Sequence, residues 1–154
     1  MANPLERMRI RRQIPNHTYG RDVRRQNGRP RPHQGWDLAA PNGTPVYAVA
    51  HGTIRQIGEG GAYGIHITLE FLHGGQRLYA FYAHLSAVLC AEGDTVYEGQ
   101  KIALSGRTGN ARGMRGEDEH LHLEIRERLQ PGRGMQHRID PGEVLGYESY
   151  SSQP

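Results

Sequence analysis

Two histidines stand one residue apart in the stretch HLHLEIRER, residues 120–128, where polar and apolar residues alternate. Successive side chains of a β-strand point to opposite faces, so His120, His122 and Glu124 share one face and the intervening apolar residues share the other. Each residue advances a strand by roughly 3.3 Å, so the two imidazoles are rooted about 6–7 Å apart, near enough to serve one metal ion or substrate. An isolated HxH is equally typical of polar neighbours in an antiparallel sheet, so the motif alone does not decide.

Two further motifs carry candidate residues. HQGWD places His33 and Asp37 four residues apart, but Gly35 and the preceding proline argue against a helix, so this spacing is weak evidence. YAHLS places His84 at the end of an apolar run, where a single histidine is more often a packed core or rim residue than a ligand. Hydrolytic zinc sites use two or three histidines, often with a carboxylate, and leave one position for water, whereas structural zinc has four protein ligands. A surplus of histidines beside three possible ligands favours a hydrolytic site.

Short strands must position these residues. The chain has 154 residues, enough for one domain with a substantial core, and its 21 glycines and nine prolines favour strands and tight turns over long helices. The predicted elements are two short strands in 43–58 around His51–Gly52, which we expect to pair antiparallel with each other, and a hairpin in 64–85 that turns at His73–Gly75. A bent strand in 93–106 and an irregular loop in 107–119 follow. In 17–38 the proline-rich NGRPRP argues against regular structure, so we expect His33 and Asp37 to come from a loop or a short edge strand.

The predicted fold is mainly β, a single domain of antiparallel sheets with an open substrate groove. We divide the chain into a basic leader over 1–16 that packs on the domain, the domain itself over 17–146, and a tail over 147–154. No amphipathic helix of useful length is expected.

Composition excludes several classes of protein. Cys90 is the single cysteine, which excludes internal disulfides and cysteine-based zinc clusters, so a metal would need histidine and carboxylate ligands. No apolar run approaches the roughly 18 residues of a membrane span, and the N-terminus lacks the apolar region of a secretory signal. We therefore expect a removed signal or another export route.

Positive charge is concentrated at the N-terminus. Residues 1–32 contain nine arginines against two carboxylates, a charge of +7, whereas the whole chain carries +3. The remainder is therefore near −4. A basic segment suits an anionic polymer such as a cell wall, and arginine-rich solvated segments are equally common. Nucleic acid is disfavoured because Tyr19 is the single aromatic residue available for base stacking there.

Four motifs in order resemble the M23 family of zinc metallopeptidases, the lysostaphin- and LytM-type peptidoglycan endopeptidases. They are HQGWDLAAPNGTPVYAVAHGTI, YAHLS, GDTVYEGQKIALSGRTGN and HLHLEIR, and the resemblance covers roughly residues 17–142. It implies that His33, Asp37 and His122 bind one zinc ion per chain, with His84 and His120 as non-ligand histidines beside it. Strand geometry would let either histidine of HLH bind, so the choice of His122 rests on the resemblance.

The resemblance also suggests a mechanism. Zinc polarises a scissile carbonyl and lowers the pKa of its water from about 15.7 towards 7. The HExxH glutamate of other metallopeptidases is missing, and imidazole, with a pKa of about 6.5, can take the proton instead. We expect His120 to be the general base and His84 to stabilise the oxyanion or protonate the leaving amine, a division that the sequence leaves open. Glu124 would either orient a ligand imidazole or form a cross-strand ion pair.

The predicted function is zinc-dependent hydrolysis of peptidoglycan peptide cross-links, at the bond between D-alanine and diaminopimelate. The alternatives are a glycyl-glycine endopeptidase and an inactive LytM-like domain that regulates a cell-wall amidase. GDTVYEGQ also resembles biotinyl and lipoyl carrier domains, but the single lysine, Lys101, lies inside the strand pattern rather than at a hairpin tip. The approach GNARGMRGEDEHLH is longer than is usual in the M23 family, so we expect that loop to border the groove.

Partners and location follow from the same resemblance. We expect peptidoglycan peptide stems as substrate, a cognate immunity or inhibitor protein, no nucleic acid, no membrane span and a monomer. Action in the periplasm or cell wall without a visible signal would suit type VI secretion or phage lysis.

Overall fold

The computed structural model of the chain describes residues 1–151, and almost all of its regular structure is β-strand. The last three residues of the predicted tail lie outside the described part. The strands are β1 Gly20–Gln26, β2 Arg29–His33, β3 Trp36–Ala39, β4 Pro45–Tyr47, β5 Gly52–Gly58, β6 Ile65–His73, β7 Gln76–Val88, β8 Thr95–Val96, β9 Lys101–Ser105, β10 His120–Arg126 and β11 Arg138–Ile139. The helices are the four-residue α1 Gly142–Leu145 and α2 Glu148–Ser151, with 3₁₀ turns at Arg11–Gln13, Pro15–His17, Gly109–Ala111 and Gly116–Asp118.

Within residues 1–151, nine strands form one antiparallel sheet and β1 with β2 forms a separate hairpin. The main path runs β11-β10-β7-β6-β5-β8, with β3 paired to β10 and β9 paired to both β4 and β7. The predicted mainly β, antiparallel fold is therefore confirmed. No helix among the described residues is long and apolar enough to span a membrane.

The alternation in HLHLEIR has the predicted effect. Leu121, Leu123 and Ile125 are fully buried in the hydrophobic core, and the histidines and Glu124 face the other way. Burying one such aliphatic side chain contributes about 1.5–3 kcal/mol, so the core face fixes how β10 is oriented. The polar face of β10 is thereby held toward the site.

The leader is part of this core. Leu5, Met8 and Ile10 are buried in the same cluster as the strand residues, and Ile10 forms an isolated bridge to Leu38 of β3. The leader thus packs on the domain as predicted, while the boundary at residue 16 stays a prediction.

Three local predictions require correction. NGRPRP is not irregular, because it forms the turn and second strand of the β1–β2 hairpin. The two strands in 43–58 exist but do not pair with each other: β4 pairs with β9, and β5 pairs with β6 and β8. Likewise, the bent strand in 93–106 consists of β8 and β9, which pair with different neighbours. The second and third errors concern partners distant in sequence, which local pattern does not specify.

Gly35 allows the β2–β3 connection to lie against β10. A Cβ atom at this position would collide with the backbone carbonyl of Leu123, so the close approach requires glycine. Because Gly35 lies between His33 and Asp37, the same contact sets where both side chains point.

We expect Gly35→Ala to lower the free energy of unfolding by about 1–3 kcal/mol or more, because β10 backbone and not a flexible side chain must move. Chemical denaturation followed by circular dichroism measures it. Gly113→Ala is the matched control, since a Cβ there meets open space. Equal stability of the two variants would show that the close approach to β10 does not require glycine at position 35.

Candidate metal centre

Strand register brings the predicted ligands together. Asp37 of β3 stands directly opposite His122 of β10, and His33 is the last residue of β2. His33 Nε2 and His122 Nδ1 lie 3.1 and 2.9 Å from Asp37 Oδ1. All three residues are buried, and one possible ligand atom of each lies within 4.8 Å of the others. These are the three residues among 1–151 that could hold a metal ion together.

The two oxygens of Asp37 face different neighbours. Oδ1 faces the imidazoles of His33 and His122, whereas Oδ2 accepts a hydrogen bond from Arg24 Nη2 at 2.8 Å and lies 3.3 Å from His17 Nδ1. Arg11 Nη1 is 3.6 Å from the same oxygen. One oxygen can therefore meet a metal while the other is fixed by the protein.

Burial alone would raise the pKa of Asp37, but hydrogen bonds from His122, His17 and His33 outweigh it and hold the pKa well below its ordinary value. The carboxylate is thus ionised and ready to bind a cation. His17 and Arg24 were missed at the sequence level. The basic character of the N-terminal segment was visible, but nothing in its spacing indicated that these side chains meet Asp37.

Glu124 supports His122 from the other side. The fully buried carboxylate accepts a hydrogen bond from His122 Nε2 at 2.8 Å through Oε2. Through Oε1 it accepts bonds from Arg126 Nε at 2.8 Å and Arg138 Nε at 2.7 Å. Both roles expected for Glu124, orienting an imidazole and forming ion pairs across strands, are present in one side chain.

Glu124 also determines which nitrogen of His122 is available. A carboxylate oxygen can only accept, so Nε2 carries a proton and Nδ1 is the nitrogen directed at Asp37. Burial opposes the charged ring, but Asp37 and Glu124 raise the pKa of His122 to about 9 in the metal-free protein. A metal that binds at Nδ1 therefore replaces a proton.

His84 and His120 flank the ligands with similar geometry. Nδ1 of His84 donates to Thr108 O and Nδ1 of His120 donates to Asp118 O, each at 2.8 Å. Carbonyl oxygens only accept, so in each neutral ring Nε2 keeps its lone pair. The rings lie 5.0 Å apart, and His120 Nε2 is 3.7 Å from Asp37 Oδ1. Both side chains can therefore accept a proton beside the candidate ligands.

The environment keeps both rings neutral. Burial, with the nearby imidazoles of His120 and His122, lowers the pKa of His84 to about 4, and burial also lowers the pKa of His120. His84 has φ of +61°, a left-handed conformation that non-glycine residues adopt rarely and at a cost of about 1–3 kcal/mol. It stands between Ala83, where the pairing of β7 with β10 ends, and Leu85, where pairing with β9 begins, and the β6–β7 register shifts at the same point. This irregularity in β7 places the His84 ring in the site.

The candidate residues line an open cleft of about 540 Å³. Asn110 and Met114 of the long loop form part of its wall, in agreement with the prediction that this loop borders the groove. Arg12 holds the far end of the loop through an ion pair with Asp118, with 2.6 Å between Nε and Oδ1. The leader thus contributes to the shape of the cleft.

Comparisons with known proteins agree with this geometry. The sequence profile of peptidase family M23 matches residues 31–147. The chain is 44% identical over 99 residues to the DD-carboxypeptidase/endopeptidase Mpg of Neisseria meningitidis, covering 64% of this chain and 21% of that protein. It is 36% identical over 108 residues to the peptidoglycan DD-endopeptidase ShyA of Vibrio cholerae, covering 70% and 23%. The chain spans about a fifth of the length of these curated relatives.

Solved structures show the same fold. The catalytic domain of lysostaphin from Staphylococcus simulans superposes with a TM-score of 0.64 at 30% identity, covering 82% of this chain and 86% of that one. A zinc-containing peptidase from Vibrio cholerae has a TM-score of 0.67 at 30% identity, covering 90% and 37%.

We expect Glu124→Gln to lower the free energy of unfolding of the metal-free protein by about 3–5 kcal/mol, because two buried arginines lose their counter-charge. Denaturant unfolding in the presence of a chelator measures it without a contribution from bound metal. Glu70→Gln is the control, since Glu70 pairs with Arg55 near the surface and its loss should cost at most about 1 kcal/mol. A Glu124→Gln effect no larger than that of the control would contradict the supporting role assigned to Glu124.

Proposed function

The chain belongs to peptidase family M23, and from this premise we propose that it is a zinc-dependent endopeptidase that cuts peptide cross-links of bacterial peptidoglycan. The observation that carries the proposal is the convergence of His33, Asp37 and His122 on one point, with two neutral imidazoles beside it. An inactive domain that regulates an amidase would not need this set intact. We therefore favour the enzyme.

The donor set fits zinc. Two imidazole nitrogens and one carboxylate oxygen are typical zinc ligands, and three protein ligands leave a position open for water. Glu124 holds the proton on His122 Nε2, the supporting arrangement that many ligand histidines show. We propose one zinc ion per chain at this site.

When bound, zinc would act as a Lewis acid on the scissile carbonyl and lower the pKa of water at the site. The chain's own residues would move the protons. We assign His120 as the general base, because its free Nε2 lies 3.7 Å from Asp37 Oδ1 and so beside the ligands. His84, with its Nδ1 fixed by Thr108, would donate to the oxyanion or to the leaving amine.

For the bond that is cut, we propose the link between D-alanine and diaminopimelate. The curated relatives Mpg and ShyA are named for DD-endopeptidase activity, and over their aligned residues they are 44% and 36% identical to this chain, against 30% for lysostaphin. A glycyl-glycine bond is the alternative. We propose action at the cell wall or in the periplasm, where this substrate lies. Export by type VI secretion or phage lysis, an immunity protein and a monomeric state stay predictions.

We expect the purified protein to contain about one zinc per chain by elemental analysis. Removal of the metal by a chelator should abolish digestion of purified sacculi, and added zinc should restore it, because the site residues alone do not activate the scissile carbonyl. Undiminished digestion by metal-free protein would overturn the proposed mechanism.

Two histidine variants separate binding from catalysis. His122→Ala should lose both zinc and activity, since it removes a ligand. His84→Ala should keep zinc and lose activity by about 10²–10⁴-fold, the usual contribution of a positioned proton donor or acceptor. Zinc content and sacculus digestion are measured in parallel. Release of zinc from His84→Ala would show that the division of roles is wrong.

Mass spectrometry of released muropeptides identifies the bond. Sacculi with direct D-alanine to diaminopimelate cross-links should yield monomers from dimers without sugar cleavage, while glycine-bridged sacculi should remain intact. Cleavage confined to the glycine-bridged sacculi would show that the protein cuts a glycyl-glycine bond instead.

A further inference from the structure

The β1–β2 hairpin places two arginines side by side. Arg24 and Arg31 are direct partners in the antiparallel register, so their side chains leave the same face of the hairpin. Like charges in directly opposite positions destabilise a strand pair. Both side chains line the cleft that contains the candidate metal ligands. His33, two residues beyond Arg31 on β2, shares this face, so the hairpin presents both a candidate ligand and a pair of cations to the cleft.

The charge in the cleft is unbalanced. Among the described residues that line it, Arg11, Arg24 and Arg31 face a single carboxylate, Asp37. Arg11 also pairs with Asp118, with 3.2 Å between Nη2 and Oδ1. A divalent cation at the site would share the charge of Asp37 and increase the excess. The excess positive charge in the cleft favours a ligand that carries an anionic group.

The two arginines differ in availability. Arg24 is partly buried, and its Nη2 holds Asp37 Oδ2 at 2.8 Å, which makes it a positioning residue for a candidate ligand. Arg31 is exposed, and its side chain forms no hydrogen bond or ion pair with any residue of the described part of the chain. An unpaired guanidinium at the wall of a cleft offers a planar fork that matches a carboxylate.

We propose that Arg31, beside Arg24, binds the free carboxylate carried by the substrate residue whose amine is released. This inference rests on the proposed endopeptidase function and specifies its substrate. In a cross-link between D-alanine and diaminopimelate, the carbon that bears the scissile nitrogen also bears a free carboxylate. A D-alanyl-D-alanine terminus has the same arrangement, whereas a bond inside a glycine bridge has none. Arg31 would therefore select the D,D class of bond.

The test uses an uncleavable probe. The tetrapeptide stem L-Ala–γ-D-Glu–diaminopimelate–D-Ala is a cleavage product, and it can be made with the carboxyl group of the diaminopimelate D-centre either free or amidated. Calorimetry on zinc-loaded wild-type protein should show that the free acid binds about tenfold or more tightly than the amide, as expected for a charged hydrogen-bonded pair.

Variants locate the effect. Arg31→Gln should remove the preference for the free acid and leave zinc content unchanged, while Arg31→Lys should retain part of the preference because it keeps the charge but loses the fork. Arg29→Gln is the matched control. Arg29 is an exposed arginine on the same strand of the hairpin but does not line the cleft, so this variant should behave like wild type.

The outcomes distinguish the inference from the proposed function. Equal binding of acid and amide by wild type, or equal loss in Arg29→Gln and Arg31→Gln, would overturn the carboxylate site, even if sacculi were digested. A preference for the acid that depends on Arg31 supports the site. That preference without any digestion of sacculi would refute the proposed function and leave the carboxylate-binding role of Arg31 standing.

Discussion

The buried carboxylate of Asp37 is the group on which the site depends. A buried charge is costly unless it is paired and hydrogen-bonded, and Asp37 meets this requirement with groups from three parts of the chain. The 3₁₀ turn at Pro15–His17 supplies His17, the hairpin supplies Arg24 and His33, and β10 supplies His122. Three parts of the chain are thereby tied to one point at the cleft.

Strand β10 links this point to the core. Its apolar face is fully buried, and its polar face carries a continuous chain of hydrogen bonds from Asp37 through His122 and Glu124 to Arg138. Every member of the chain has partners on both sides, so the low dielectric of the interior strengthens the network rather than penalising it. His122, whose Nδ1 is the candidate ligand atom, is therefore oriented through its Nε2 by Glu124, which a metal at Nδ1 would not displace.

The proposed chemistry and the proposed substrate selection use one face of the hairpin and the polar face of β10, which line the same cleft. The histidines beside the candidate ligands are fixed through Nδ1 by backbone carbonyls, which leaves their other nitrogens for proton transfer. Positive charge on the β1–β2 hairpin lines the same cleft. The strained backbone of His84 is consistent with a side chain held for function rather than for stability.

The sequence by itself determined the mainly antiparallel β fold, the set of five candidate residues and the core face of β10. Alternation with period two depends on strand geometry alone, so it places both histidines of HLH and Glu124 on one face in any context. Tertiary structure decided which histidine meets Asp37, because the β3–β10 register sets His122 opposite it and a shift of register would change the pairing. The resemblance had already indicated His122, whereas strand geometry had left both open.

The hairpin shows the limit of local reasoning. Pro30 and Pro32 have the same parity, so their missing N–H groups fall on one edge of β2 and the other edge still pairs with β1. The proline content of NGRPRP argued against a strand, because composition does not show that the prolines fall on the unpaired edge of β2. The contact between Arg24 and Asp37 likewise depends on the folded chain. Two charged side chains interact when they are close in space, and their spacing in the sequence does not indicate this.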